Sequence, residues 1–333
     1  MRDANRALVV VTQKFFDEDS VEFLVQHGCD VRIAQLPQGK ADGALSEAEL
    51  IEILAGAQGW IVGHANVTAS LLRALPELKI ISRRGVGYER VDTAAVAACG
   101  KVATIAVGGN DASVADHTVG MMLAAGRRFK ECQQGLDKWD WSIPLGSDLY
   151  RKTVGVIGLG RIGKGVVQRL AGFEAKTLIY TPKPDWSYSL PTGGCYVDLD
   201  TLFAESDYVT LHAPLTSATR GLINKQVLQR MKRTAFLVNT ARGELVNDAD
   251  LLAALQDKQI AGAALDVFQS ESDAALEEVT RQLIALPNVV VTPHVGASTT
   301  EGLNRTNLIA SQCVVAVLEG RTPPRSCVVA DGR

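Results

Sequence analysis

The sequence has no C-x-x-C pair, no long apolar run, no block of like charge and no internal repeat. Each absence removes a class of protein. The six cysteines, Cys29, Cys99, Cys132, Cys195, Cys313 and Cys327, lie far apart, which argues against a zinc knuckle or a small disulfide scaffold. They read as unpaired thiols of a reducing cytoplasm, and no metal site is expected. The opening stretch, Met1 to Thr12, carries an apolar run too short for a signal peptide or a membrane span, so it reads as a first strand. A net charge of −3 and a pI near 6.0, with dispersed lysines and arginines, give no electrostatic footprint for nucleic acid.

What is present is a chain of 333 residues, 47% hydrophobic and 21% charged, long enough for two cores. Short β-branched runs at Leu8 to Val11, Val31 to Ile33, Trp60 to Val62, Lys79 to Ser82 and Val102 to Ile105 alternate with helical patterns. That alternation predicts an α/β layer with a parallel sheet. Ser46 with Glu49 predicts a capping box that opens a helix ended by Gly56, and Ser298 with Glu301 predicts a second box opening the last helix. A helix is expected over 112 to 130, after the flexible stretch Ala106 to Ser113. Its apolar residues exceed one stripe, which suits either a subunit contact or burial within the chain. The late run Cys327 to Ala330 is expected to return to the first sheet.

The middle of the chain carries the chemistry. Thr153 to Ile157 reads as a buried strand that breaks at Gly158, Gly160 and Gly163 and resumes as a helix. Glycine suits three separate needs there: a tight turn at Gly158, close approach of backbone N–H groups to a pyrophosphate at Gly160, and close helix packing at Gly163. A tight turn between any strand and helix reads the same way, so the glycines alone leave the ligand open. Further strands at Lys176 to Tyr180, Tyr208 to Leu211, Ala235 to Val238, Gly262 to Leu265 and Val289 to Val291 each stop at small or polar residues. Among those residues are His212, Arg242, Asp266 and His294. In a doubly wound sheet all these ends share one edge.

Taken in order, several blocks resemble the D-isomer-specific 2-hydroxyacid dehydrogenase family. They are Arg83 with Gly85-Val-Gly87, Asn110 before Asp116-His117, and Gly158 to Gly163. Asp207 to Pro214, Asn239 to Gly243, Asp266-Val-Phe268 with Glu271, and Thr292 to Ser298 complete the series. The resemblance covers nearly the whole chain. It implies a two-lobed α/β fold in which a Rossmann-type doubly wound coenzyme domain, residues 104–298, is inserted into a smaller flavodoxin-like substrate domain, residues 1–103 with 299–333. It also implies an oxidoreductase moving a hydride between NAD or NADP and C2 of a small D-2-hydroxy or 2-keto acid, and a cytoplasmic homodimer joined through the coenzyme domain. Phosphoglycerate dehydrogenase proper and a coenzyme-sensing binding protein of the corepressor kind are the competing readings. The absence of long flanking segments for partner recruitment favours the enzyme.

By the same resemblance the catalytic residues are Arg242, Glu271 and His294. A proton must move on the oxygen beside the hydride centre, which calls for histidine. Glu271 fixes its tautomer and favours imidazolium, while Arg242 offers a rigid fork to the substrate carboxylate. Coenzyme contacts are implied at Gly158, Gly160, Arg161, Ile162, Gly163, Thr181, Lys183, His212, Ala213, Pro214, Thr219, Thr240, Ala241, Asp266 and Gly296. Substrate contacts are implied at His64, Arg84, Val86, Gly87 and Asn110. His117 reads as a helix-packing residue and His212 as lining the adenine pocket.

Three departures matter. Thr181 stands where the family has an aspartate that binds the adenosine ribose, and Lys183 is nearby, so a 2′-phosphate is no longer repelled. Asp185 lies too far along to substitute. Ser272 replaces the usual proline after the glutamate. The loop His64-Ala-Asn66 lacks the basic residues that would bind the phosphate of phosphoglycerate; Arg84, beside Arg83, reads either a second anionic group or solvent, solvent being slightly favoured.

Overall fold

The computed structural model describes residues 6–188, 190 and 194–333, so the first five residues of the expected N-terminal strand segment lie outside the described part. The strands are β1 (Ala7–Val11), β2 (Cys29–Ile33), β3 (Gly59–Val62), β4 (Ile80–Arg83), β5 (Val102–Ile105), β6 (Thr153–Ile157) and β7 (Lys176–Tyr180). They continue with β8 (Cys195–Tyr196), β9 (Tyr208–Leu211), β10 (Phe236–Asn239), β11 (Gly262–Leu265), β12 (Val289–Val291) and β13 (Val328–Asp331). The chain divides into two compact units, Met1–Asn110 with Thr299–Arg333, and Asp111–Ser298. The first division falls after Asn110 and not at the 103/104 boundary read from the sequence. Backbone beyond β5 is still pinned to the first sheet, since the Ile105 N–H donates to Cys327 O at 2.8 Å and the Ala106 N–H to Gly85 O at 3.0 Å.

In the first unit the strand order is β13-β5-β4-β3-β1-β2. All pairs are parallel except the last strand, which returns to this sheet as expected and runs antiparallel beside β5. Without β13 this is the 2-1-3-4-5 order of flavodoxin-like sheets. Alternate residues face opposite ways, so Val10, Trp60, Val62 and Ile81 enter one core while Val9, Val11, Ile61 and Ile80 enter another. Helix Thr300–Leu318 covers the second of these faces with Ala310, Val314 and Val317. Helix Glu47–Ile53 starts on the expected capping box, with Ser46 accepting from the Glu49 N–H and its own N–H reaching Glu49 Oε2 at 2.7 Å. The last helix departs from expectation: its cap is Thr299, which accepts from the Gly302 N–H at 2.9 Å. Ser298 is held instead in the preceding turn, its N–H donating to Val295 O at 2.7 Å.

In the second unit the order is β12-β11-β10-β9-β6-β7-β8. Counted from β6 as its first strand, this is the Rossmann 3-2-1-4-5-6 order with one further strand. Both faces of the sheet are packed. The expected helix over 112 to 130 is two helices, Asp111–Gly126 and Phe129–Leu136, separated by Arg128 in the left-handed region (φ 55°). A Cβ at Gly126 would lie 2.2 Å from the Tyr208 hydroxyl, so the helix ends where only glycine fits. Its apolar surplus is also accounted for within the chain, since Val114, Val119, Met121 and Met122 are buried. Exposed apolar surface lies further on, at Phe129, Leu136, Trp139 (82% exposed), Trp141, Ile143 (93%) and Leu145.

Candidate active site

The three glycines of the turn differ in what surrounds them. Gly158 adopts φ 98° and lies against the His212–Ala213 backbone, where a Cβ would fall 2.7 Å from His212 O. A Cβ on Gly163 would strike Gly158 O at 2.1 Å, so the first turn of the helix can pack only without a side chain. Gly160 is different: it caps helix Arg161–Leu170, and a Cβ there would meet nothing within 4 Å. Open space above the N–H groups of Arg161 and Ile162 fits a dinucleotide pyrophosphate.

The strip beside this turn comes from neighbouring strand ends. Tyr180 O accepts the Gly158 N–H at 2.8 Å, which sets Thr181 next to the turn, half-buried, with Lys183 exposed two residues on. Asp185 is already engaged with Lys164 Nζ at 2.9 Å and with Ser187, and these hydrogen bonds hold its carboxyl down at about 2. His212 bonds Thr210 Oγ1 through Nε2 at 3.0 Å, and burial pushes it down to about 4, so it is neutral near pH 7. Thr219 Oγ1 donates to Pro214 O at 2.6 Å and shapes that loop. Thr240 is buried against Thr118 at 2.8 Å, and the Ala241 N–H donates to Asn239 Oδ1.

Arg242, Glu271 and His294 follow β10, β11 and β12, three adjacent parallel strands in register (Asn239 with Leu265, Leu265 with Val291). Their carboxyl ends therefore line up at the ~4.8 Å strand spacing. Arg242 is half-buried, with Nη1 donating to Ala241 O at 2.7 Å. Glu271 Oε2 lies 2.6 Å from His294 Nδ1, and Glu271 Oε1 accepts the Phe268 N–H at 2.9 Å. Burial works to raise the Glu271 carboxyl. The hydrogen bond and charge of His294, together with the Phe268 N–H, outweigh it and hold the group below the ordinary carboxylate range.

The loops bearing these residues are tied together by groups not read from the sequence. Asp248 Oδ2 accepts the Gln269 N–H at 3.0 Å while Gln269 Oε1 accepts the Asp248 N–H at 2.9 Å, a reciprocal clamp between the Arg242 and Glu271 loops. Ser272, in place of the family's proline, donates to Glu244 Oε1 at 2.8 Å across the same gap. His294 has φ 54°, and its N–H donates to Asp266 O. Asp266, 1% exposed, spends its carboxylate on Thr292 Oγ1 (2.5 Å) and the N–H groups of Val295 and Gly296 (2.9 Å each). Burial works to raise this carboxyl too, but bonds from His117, Thr292 and the two N–H groups hold it down. Asp266 and Gly296, expected at the coenzyme, bond each other and so tie down the His294 loop. His117 is more than a packing residue, since Nε2 lies 3.0 Å from Thr292 Oγ1.

The substrate candidates lie in the first unit. His64 is exposed, Val86 and Gly87 half-buried and Asn110 buried. Arg84 is half-buried, and Nη1 donates to Lys14 O at 2.7 Å. Arg83 Nε donates to Gly87 O at 2.7 Å and holds the loop closed. A cavity of about 340 Å³ opens at the ends of β1 and β2, lined by Gln13, Lys14, Phe16 and Lys40 among others. None of the residues singled out in the sequence lines it.

Dinucleotide-binding proteins are the class that this sheet order and glycine turn point to. The profile of the D-isomer specific 2-hydroxyacid dehydrogenase NAD binding domain matches residues 119–296, and the chain belongs to that family. It is 38% identical over 265 residues to a glyoxylate reductase of Thermofilum pendens, covering 78% of this chain and 77% of that protein. It is 36% identical over 320 residues to a D-3-phosphoglycerate dehydrogenase of Synechocystis, covering 95% of this chain but 56% of the other, so it spans little more than half of that relative's length. Among solved structures, a protein of Thermus thermophilus superposes with a TM-score of 0.86 at 32% identity, covering 97% of this chain and 100% of the other. Among the described residues no helix is long and apolar enough to cross a membrane.

Proposed function

We propose that the chain is an NAD(P)-dependent dehydrogenase that interconverts a small D-2-hydroxy acid and its 2-keto acid. The observation that carries the reading is the 2.6 Å contact between His294 Nδ1 and Glu271, one strand away from Arg242 and in the same sheet as the glycine turn. When bound, the nicotinamide supplies or accepts the hydride. Arg242 pairs with the substrate carboxylate and orients C2. His294, with Nδ1 held by Glu271, gives a proton from Nε2 to the keto oxygen during reduction and takes it back during oxidation. Glu271 stays ionised and stabilises the imidazolium in between.

Either coenzyme fits the residues after β7, because Thr181 carries no carboxylate and Asp185 is committed to Lys164. Names of relatives point to glyoxylate-sized acids and to phosphoglycerate. The loop His64-Ala-Asn66 offers no phosphate-binding lysine or arginine, which favours the smaller acid. The exposed Trp139, Trp141, Ile143 and Leu145 form an apolar segment that a second copy of the chain would cover in a homodimer. A cytoplasmic setting suits its thiols. The test is a spectrophotometric screen of 2-keto acids with NADH and NADPH in parallel. Turnover of at least one small acid is expected, whereas coenzyme binding without turnover of any acid would favour the corepressor-like reading.

A further inference from the structure

Asp42 lies in the loop between β2 and helix Glu47–Ile53 and is 1% exposed. Its carboxylate accepts from four neutral donors on two other strand ends. Oδ2 accepts from Thr12 Oγ1 (3.0 Å), Gln13 Nε2 (2.7 Å) and the Gly63 N–H (2.7 Å), while Oδ1 accepts from the His64 N–H (2.9 Å). Thr12 in turn accepts from Trp60 Nε1 at 3.0 Å. A Cβ at Gly63 would lie 1.5 Å from Gln13 Nε2 and would displace that amide from Asp42. A buried carboxylate is costly to desolvate, and without its full set of donors it would not be tolerated.

These bonds are part of a larger ring. His64 O accepts from Arg90 Nη1 at 3.0 Å, and His64 Nδ1 lies 3.4 Å from Arg83 Nη2. Arg83 closes the Arg83–Gly87 loop, and Arg84 returns to Lys14 O, beside Gln13. Thus the loops after β1, β3 and β4 are joined in a circuit, and Asp42 supplies its negative charge. Three of the substrate candidates, His64, Arg84 and Gly87, stand on that circuit.

We infer that Asp42 is a positioning residue that sets selectivity for the acid's side chain by fixing the His64 loop against the ends of β1 and β4; this rests on the proposed dehydrogenase reading of the same loops. The asymmetry of its bonds makes the inference specific. An asparagine at this position keeps three donors by turning its carbonyl to where Oδ2 stands, which leaves its amide N–H facing the His64 N–H. Asp42→Asn therefore unseats His64 and spares Thr12, Gln13 and Gly63.

The experiment compares wild type, Asp42→Asn and Gly63→Ala on a series of 2-keto acids of increasing side-chain length, with coenzyme affinity measured separately by fluorescence titration. For Asp42→Asn the KM of the preferred acid rises about tenfold, the loss of one hydrogen bond to a charged group, with a smaller change in kcat. The ratio of kcat/KM between best and worst acids shrinks, while the coenzyme Kd is unchanged. A merely structural role would lower the melting temperature without changing that ratio. Gly63→Ala, which displaces the Gln13 amide, shifts the ratio the same way and decides the matter should Asp42→Asn fail to fold. Wild-type turnover with an unaltered ratio in a folded variant overturns the inference alone. No wild-type turnover of any acid overturns the dehydrogenase reading and this inference with it.

Discussion

His294 Nδ1 and Glu271 Oε2 are 2.6 Å apart, although the two residues belong to loops after different strands. The ring is held from one side by Glu271 and its backbone from the other by Asp266. Replacing His294 by alanine removes the proposed proton donor, and turnover should fall roughly 10²- to 10⁴-fold. Coenzyme affinity, which the proposal assigns to the glycine turn, should survive in a fluorescence titration. Near-normal turnover would dismiss the assignment.

Glu271→Gln keeps an oxygen for the Phe268 N–H but removes the charge. The charge and hydrogen bond of His294 hold the Glu271 carboxyl below the ordinary carboxylate range, so the pair is an ionic contact that glutamine cannot reproduce. With the ring no longer held, kcat for keto-acid reduction should fall at least about tenfold while coenzyme affinity is kept. Steady-state kinetics with a separate coenzyme titration read the split, and an unchanged kcat would mean that the contact is structural.

Arg242→Lys preserves the positive charge and loses the planar fork. The KM for the acid should rise at least about tenfold, with some loss of kcat, because a single ammonium replaces two parallel bonds. Steady-state kinetics at saturating coenzyme would check this.

Thr181→Asp places a carboxylate beside Gly158, where it can bind ribose hydroxyls and repel a 2′-phosphate. The ratio of NADPH to NADH efficiency should fall several-fold. Equal ratios in variant and wild type would show that the end of β7 does not choose the coenzyme.

Asp248 is 2% exposed, and burial pushes its carboxyl up to about 6. Its folded value lies above the unfolded one, so the folded state holds the proton longer and stability falls as pH rises from about 4 to 6. Asp248→Asn, whose side chain cannot ionise, should lose this dependence while still accepting the Gln269 N–H. The wild type should lose up to about 3 kcal/mol relative to the variant across that window, measured by urea denaturation at fixed pH steps. A constant difference would contradict it.

Strands β5, β7, β9, β11 and β12 have the bounds read from the sequence, because apolar runs buried on both faces stop sharply at polar residues. The placing of Arg242, Glu271 and His294 at neighbouring strand ends is legible for a related reason, since each follows such a strand. What is illegible depends on partners distant in sequence. Gly126 closes helix Asp111–Gly126 against the Tyr208 hydroxyl, a close approach that no local pattern around Gly126 announces. The carboxylates of Asp42 and Asp248 look like ordinary loop and helix-start residues, and only folding brings their donors to them. Asp266 stands out in the sequence, but its engagement with Thr292, Val295 and Gly296 needs the left-handed turn at His294 to be visible.

The antiparallel pairing of β13 with β5 has a consequence for the order in which the protein can form during synthesis. The first sheet needs helix Thr300–Leu318 to cover one face and β13 to complete its edge, and both emerge from the ribosome after all of Asp111–Ser298. The inserted unit is continuous in sequence and can mature as soon as it is translated. Until helix Thr300–Leu318 emerges, the nascent amino-terminal strands carry Val9, Val11, Ile61 and Ile80 without their cover. Chaperone dependence and early aggregation should therefore track the amino-terminal third of the chain, and a circular permutant that begins at Thr299 would relieve them.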